Sequence, residues 1–131
     1  MKYIFLMLLI LCSSLSAKRL NPESYYQVIA AKILNAETEV ILSDGSRADI
    51  ISTSHAIEVD WSNKWKEGIS QSLWYAFQTN KNAGLILIIK DETDTKEVIK
   101  VNSLINHYDL PITLWTIDQQ NEELHQIPLL Q

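Results

Sequence analysis

Cysteine, glycine and proline are all scarce in this chain. Its 131 residues include one cysteine, three glycines and three prolines. A single cysteine excludes an intramolecular disulfide, so the fold must be held by packing and hydrogen bonds. The low glycine and proline counts exclude a collagen-like or low-complexity chain. The length and the 47% hydrophobic fraction predict one ordinary globular domain.

Positive charge is also in short supply. Eleven Lys and Arg residues stand against sixteen Asp and Glu residues, which gives a formal net charge of −5. Proteins that coat nucleic acids neutralise many phosphates, so this balance counts against such a role. It is compatible with a nuclease whose site is locally basic or holds a cation. The histidines lack metal-ligand spacing, and there is no phosphate-cradling glycine loop and no Cys/His zinc cluster.

The N-terminus has the pattern of a secretory signal peptide. A lysine at position 2 precedes an apolar run over 3–11, and small residues lead to Ala17. The run is shorter than the roughly 20 apolar residues of a membrane-spanning helix. We therefore expect a signal peptide at 1–17, one domain at 18–131, and a secreted or periplasmic protein with no stable membrane insertion after cleavage. An uncleaved anchor and a buried helix remain alternatives.

Hydrophobic periodicity predicts alternating helices and strands. The expected ranges are a helix at 22–35, strands at 39–42, 47–52 and 56–60, a helix at 64–78, a strand at 84–89, a helix at 95–108, a strand at 111–117 and a short edge strand at 124–129. The uninterrupted apolar run at 84–89 indicates a strand buried on both faces, in the middle of the sheet. This order predicts an α/β fold with a mixed sheet flanked by helices.

Apolar spacing also predicts the buried faces of the first two helices. In the first helix the predicted face is Tyr25, Val28, Ile29 and Ile33. In the second it is Trp65, Ile69, Leu73, Ala76 and Phe77.

Acidic side chains stand on two neighbouring predicted strands. Asp49 lies on the second strand, and Glu58 and Asp60 lie on the third. Carboxylates from adjacent strands can converge on one point, and the Val59 carbonyl would add another oxygen. Such oxygen ligands suit Mg²⁺ or Mn²⁺. Solvent-facing positions remain alternatives for Asp49 and Glu58, and a helix cap remains one for Asp60.

The element order, the acids, and Gln71 and Tyr75 on the following helix together resemble the PD-(D/E)xK nuclease superfamily. The Gln71 and Tyr75 pair resembles that of its RecB-like and Holliday-junction-resolvase-like branches. The resemblance covers about 22–117 and implies a restriction-endonuclease-like fold with an αβββαβ core. Asp49 matches the strand-two acid, Glu58 the glutamate of Glu-x-Lys, and Gln71 with Tyr75 the Gln-x-x-x-Tyr signature. Asp60 stands where the family motif has lysine.

Other polar residues gain roles from this resemblance. The displaced lysine would be Lys64 or Lys66, at the start of the second helix; both also fit a solvated helix surface. Gln71 and Tyr75 would hydrogen-bond the site or the nucleic-acid backbone, or would form a surface pair. Glu23 fits a remote acid of the site or a charge that complements the helix dipole.

The resemblance implies a metal-dependent nuclease-like protein that hydrolyses phosphodiester bonds in DNA or RNA. Nucleic acid would be its partner, Mg²⁺ or Mn²⁺ its cofactor, and a homodimer is expected by analogy alone. The alternative is a catalytically inactive nuclease-fold module that acts as a binding or envelope interaction protein.

Overall fold

A computed structural model describes residues 21–130, so the predicted signal peptide lies outside the described residues. The elements are α1 (Glu23–Ile33), β1 (Glu37–Ile41), β2 (Arg47–Ile51), β3 (His55–Trp61), α2 (Trp65–Thr79), β4 (Asn82–Ile89), α3 (Thr95–His107), β5 (Ile112–Asp118) and β6 (Leu124–Gln126). Short 3₁₀ turns at Ser62–Lys64 and Glu92–Asp94 precede α2 and α3. Within 21–130, no helix has the length and apolarity needed to cross a membrane.

The six strands form one mixed sheet in the order in which they occur in the chain. β1, β2 and β3 are antiparallel neighbours, β3, β4 and β5 are parallel, and β6 returns antiparallel to β5. β4 lies between two parallel neighbours, and its side chains from Leu85 to Ile88 are fully buried. The structure thus confirms the α/β class, the mixed sheet and the interior position of the continuous apolar run.

Helices cover both faces of this sheet. α1 packs on one face, where Tyr26 and Ala30 contact a cluster that includes Ile57 and Ile86. α2 and α3 pack on the other face, against alternate residues of the same strands such as Leu85. Side chains alternate between faces along a strand, so β3 and β4 supply both halves of the core.

The buried faces of two helices differ from the sequence prediction. In α1, Tyr25, Val28 and Ile33 are exposed, and the buried residues are Tyr26, Gln27, Ala30 and Ala31. The two alanines have short side chains, so the helix backbone can approach the sheet closely. In α2, Phe77 is 77% exposed rather than part of the core.

The pairing of β2 with β3 ends early. Only Ile50 with Ile57 and Ile51 with Ala56 are in register, although β3 continues to Trp61. Beyond these pairs the two strands part, and we call the opening between them the β2–β3 fork. Asp49 of β2 and Glu58 and Asp60 of β3 all belong to its two strands.

Candidate functional site

Asp49 bridges the β2–β3 fork with its side chain. Its Oδ2 accepts a hydrogen bond of 2.8 Å from the Val59 backbone N–H. A side-chain carboxylate thus takes the place of a main-chain acceptor where the strands no longer pair. Gln27 of α1 donates to the Asp49 carbonyl oxygen at 2.8 Å and to Glu39 Oε1 at 2.8 Å, which fixes the backbone at this point.

Glu58 and Asp60 share one face of β3, beneath α2. Both are buried, with 5% and 6% of their surface exposed. Besides burial, the nearby charge of Asp49 helps to raise the pKa of Glu58, so the carboxyl groups of the two strands lie close enough to interact. Glu58 Oε2 and Asp60 Oδ2 are nevertheless buried without a hydrogen-bond partner. Unpaired buried carboxylate oxygens are costly, and each calls for a proton, a water or a cation.

The carboxyl groups strongly perturb one another's ionisation. Burial, reinforced by the charges of Asp49 and Asp60, strongly raises the pKa of Glu58. Burial also raises the pKa of Asp49, against the opposing hydrogen bond from Val59. Burial together with the charges of Glu23 and Asp49 raises the pKa of Asp60 to about 7, although Lys64 opposes the shift. The site therefore retains protons at neutral pH unless another positive charge enters it.

Glu23 belongs to the same electrostatic cluster. Burial and the Asp49 charge raise its pKa, whereas Lys64 and a hydrogen bond from the Trp61 backbone lower it. Glu23, the first residue of α1, thus lies within reach of the charges of Asp49 and Lys64. The sequence left its role open, because a glutamate in the first helical turn has the same pattern whether or not it reaches a site.

Tyr75 reaches the acids from α2. It is 6% exposed, and its ring packs with Ala48 and Ala56. Burial and the nearby charges of Glu58 and Asp49 raise the pKa of Tyr75 to about 12. Gln71, one turn earlier, is exposed. The structure therefore brings Tyr75 to the acids and leaves Gln71 at the surface.

The two candidate lysines have different surroundings. Lys64 ends the 3₁₀ turn before α2, and its charge lowers the pKa values of Glu23 and Asp60. Lys66 lies over the Trp65 ring, with its Nζ 5.5 Å from the ring centroid. Lys64 is thus the lysine whose charge reaches the carboxyl groups.

The carboxyl groups at the fork supply only part of the ligand set that a metal ion needs. Within residues 21–130, no three or more His, Cys, Asp or Glu side chains are grouped so that they hold an ion. The Val59 N–H faces Asp49, and its carbonyl oxygen points to the same edge of the strand. The predicted ligands Asp49, Glu58 and Val59 therefore adjoin one another at the fork.

No family model, curated protein or solved structure matches this chain. The likeness to PD-(D/E)xK nucleases accordingly rests on residues and element order.

Proposed function

We propose that the chain is a secreted or periplasmic metal-dependent nuclease, with its active site at the β2–β3 fork. One observation carries the proposal: Asp49 of β2 bonds to the Val59 N–H, next to Glu58 of β3, while Glu58 Oε2 and Asp60 Oδ2 are buried without a hydrogen-bond partner. Buried carboxyls with perturbed pKa values are typical of catalytic and ion-binding sites.

The donor set suits Mg²⁺ or Mn²⁺. These hard cations take oxygen ligands, and Mg²⁺ commonly binds one or two carboxylates while water and substrate phosphate complete its shell. Asp49, Glu58 and the Val59 carbonyl would hold it, so the lack of a three-carboxylate cage is compatible with this ion. When bound, such a cation lowers the pKa of a water and offsets charge on a phosphate.

The order of elements supports the restriction-endonuclease-like assignment. A helix, three antiparallel strands, a helix and a parallel strand correspond to the αβββαβ core. The acids fall on the second and third strands, where the resemblance requires them.

Residues around the acids fit roles in phosphodiester hydrolysis. The exposed Lys64 ammonium provides positive charge for a phosphate beside otherwise acidic walls. The buried Tyr75 lies near the charge of Glu58, and its hydroxyl would donate a hydrogen bond that orients the Glu58 carboxyl. Asp60 has a pKa of about 7, so it can exchange a proton near neutral pH.

A second function, binding without catalysis, is favoured by one feature. Asp60 stands at the family's lysine position and adds negative charge instead of positive charge. An inactive module would keep Asp49 and Glu58 neutralised by protons and would bind no cation. Calorimetric titration with Mn²⁺ separates the two functions, since only the nuclease requires binding that Asp49→Asn weakens.

Cleavage assays test the nuclease directly. The full chain is incubated with linear, single-stranded and branched DNA, and with RNA, in Mg²⁺ or Mn²⁺. We expect cleavage that falls by about a hundredfold or more in Asp49→Asn, a loss of the size seen when a catalytic group is removed. Asn keeps an oxygen acceptor for the Val59 N–H, so the fold should survive. Glu92→Gln, an exposed acid in the turn before α3, is the matched control and should retain activity. Equal cleavage by Asp49→Asn and wild type would refute the proposal.

A further inference from the structure

Glu39 has a backbone conformation that is unusual for its place in the fold. It lies in the middle of β1, yet its φ angle is 56°, in the left-handed region. Of the residues at 21–130, the others with positive φ lie in turns or directly after helices: Asn35, Gly45, Asn80, Asp109 and Glu122. Turns and helix ends accommodate such residues, whereas the interior of a strand does not.

Pairing between β1 and β2 is interrupted at the same point. The two strands pair through Thr38 and through Val40, but not through Glu39 between them. The residue opposite Glu39 in this register is Asp49, a predicted ligand of the proposed site. A left-handed residue other than glycine is strained, and such strain is concentrated at functional sites, where the surroundings hold it.

Two hydrogen bonds hold the Glu39 carboxylate. Gln27 Nε2 of α1 donates to Glu39 Oε1 at 2.8 Å, and the Arg47 guanidinium donates to Oε2 at 3.2 Å. Gln27 is only 4% exposed, whereas the Arg47 side chain is 63% exposed. A buried amide needs acceptors for its N–H groups, and an exposed ion pair contributes little, so Gln27 is the partner that matters.

Gln27 links Glu39 to the proposed site. Its Nε2 atom also donates to the Asp49 carbonyl oxygen at 2.8 Å. A primary amide has two N–H groups, so this nitrogen can satisfy both acceptors at once. The Asp49 side chain in turn accepts from the Val59 N–H at 2.8 Å. A continuous chain of hydrogen bonds therefore connects Glu39 to the backbone that carries the Asp49 carboxylate.

We propose that Glu39 is a positioning residue of the β2–β3 fork, and that it acts through Gln27 to fix the direction of the Asp49 carboxylate. This inference rests on the proposed function, since a cation site gains affinity when neighbouring residues orient its ligands in advance. Glu39 lies outside the proposed ligand set, so its contribution is geometric. The strained conformation in β1 is retained because it places the Glu39 carboxylate against Gln27.

The charge of Glu39 is a separate influence on the site. Burial is the main cause of the raised pKa of Asp49, and the charge of Glu39 adds to it. Two substitutions separate charge from position. Glu39→Gln removes the charge and keeps an oxygen acceptor for Gln27, whereas Glu39→Gly removes the acceptor and suits a positive φ. Only Glu39→Gly should therefore release Asp49.

Nuclear magnetic resonance of the metal-free full chain tests the proposal. The Val59 N–H reports the position of the Asp49 carboxylate, because a bond to a charged acceptor is short and moves the amide proton signal downfield. In Glu39→Gly this signal should shift upfield, and in Glu39→Gln it should keep the wild-type position. Glu122→Gly is the matched control, since Glu122 has a φ of 57° in the turn between β5 and β6. It should leave the Val59 signal unchanged.

A double substitution tests the route through Gln27. Gln27→Leu removes both bonds of the amide and should shift the Val59 signal at least as far as Glu39→Gly does. Addition of Glu39→Gly to Gln27→Leu should shift it no further, because the two residues act as one unit. The proposal is overturned by an unchanged signal in Glu39→Gly, by an equal shift in Glu39→Gln or Glu122→Gly, or by additive shifts in the double variant.

Titration with Mn²⁺ distinguishes failure of this inference from failure of the nuclease assignment. Glu39→Gly should bind Mn²⁺ about tenfold more weakly than the wild type, the usual effect of losing a residue that orients a ligand. Glu122→Gly should bind it as the wild type does. Unchanged affinity in Glu39→Gly would overturn the inference and leave the metal site in place. A wild type that binds no Mn²⁺ but shows the expected Val59 shifts would refute the metal site and leave the positioning of Asp49 in place.

Discussion

At the scale of single residues, the Asp49 carboxylate has two neighbours that affect its ionisation in opposite ways. It accepts a hydrogen bond from the Val59 N–H, and this bond favours the ionised form of Asp49. It also adjoins Glu58, and the two acids are easier to bury together when one of them is protonated. The Asp49 carboxylate therefore supplies a hydrogen-bond acceptor where the strand pairing has ended, and, together with burial, its charge raises the pKa of Glu58. Few surface acids have to meet both conditions.

Comparison of two substitutions separates these effects of Asp49. Asp49→Ala should cost about 1–3 kcal/mol of unfolding free energy relative to Asp49→Asn, since it leaves the buried Val59 N–H without an acceptor. Asparagine removes the charge but keeps an oxygen. Urea denaturation of both variants measures the difference, and equal stabilities would show that the Val59 bond contributes little.

The pH dependence of the unfolding free energy should reveal the cluster of buried carboxyl groups. The folded-state pKa of Asp60 is raised from 3.8 to about 7, so its contribution is fully present below about pH 4 and is lost as the pH rises to 7. The raised pKa of Glu58 has the same sign. Unfolding free energy should therefore fall over this window, by at most about 1.4 kcal/mol per pH unit for each group.

The variant that checks this sign is Asp60→Asn. Urea midpoints measured from pH 4 to pH 8 should fall less steeply in it than in the wild type. A wild-type protein whose stability rises across this range would contradict the pKa directions described for the site.

At the scale of elements, α2 has different tasks on its two sides. Its inner side brings Gly68, Ser72 and Tyr75 against the sheet, and its outer side exposes Trp74 and Phe77. Gly68 is the point of closest approach: a Cβ there would lie 2.7 Å from Leu85 Cδ1 and 3.0 Å from Asp60 Oδ2. The glycine thus sets the depth at which α2 covers the acids.

Replacement of this glycine should destabilise the fold despite a gain in helix propensity. Gly68→Ala gains up to about 1 kcal/mol in propensity but overfills the core at a cost of about 1–3 kcal/mol. We expect a net loss near 1 kcal/mol by thermal or urea denaturation. Ser70→Ala, at an exposed position of the same helix, is the control and should be neutral or slightly stabilising. Gains of equal size in both variants would mean that no clash occurs at position 68.

Element type and order were predictable from the sequence because β4 has a continuous apolar run, and because Asp44-Gly45 between two strand-like stretches is a hairpin signal. The buried face of α1 was not predictable, since close packing selected Ala30 and Ala31 over the larger Val28 and Ile33. For the site, the positions of Asp49, Glu58 and Asp60 on two adjacent strands followed from the pattern. The family resemblance offered Tyr75 and Gln71 together and left Glu23 open. Which of them approaches the acids depends on tertiary packing, which buries Tyr75 and leaves Gln71 exposed.

At the scale of the whole molecule, the proposed cation site couples to folding. An ion that binds only the folded chain stabilises it, by about 2.7 kcal/mol at a hundredfold excess over its dissociation constant. Mn²⁺ should therefore raise the thermal midpoint of the wild type at pH 7.5 and leave that of Asp49→Ala almost unchanged. Equal shifts in both proteins would indicate non-specific binding elsewhere.

The short pairing of β2 with β3 has a consequence for access to the interior. Main-chain pairing holds the β1–β2 hairpin to β3 at Ile50 and Ile51, and hydrogen bonds hold its turn to α2. Between these points it is held by the side-chain bonds of Asp49 and Gln27. Local opening of this stretch would let water and small ions reach the buried carboxyls while the central strands stay intact. Amide hydrogens around Asp49 should consequently exchange with solvent sooner than those of β4.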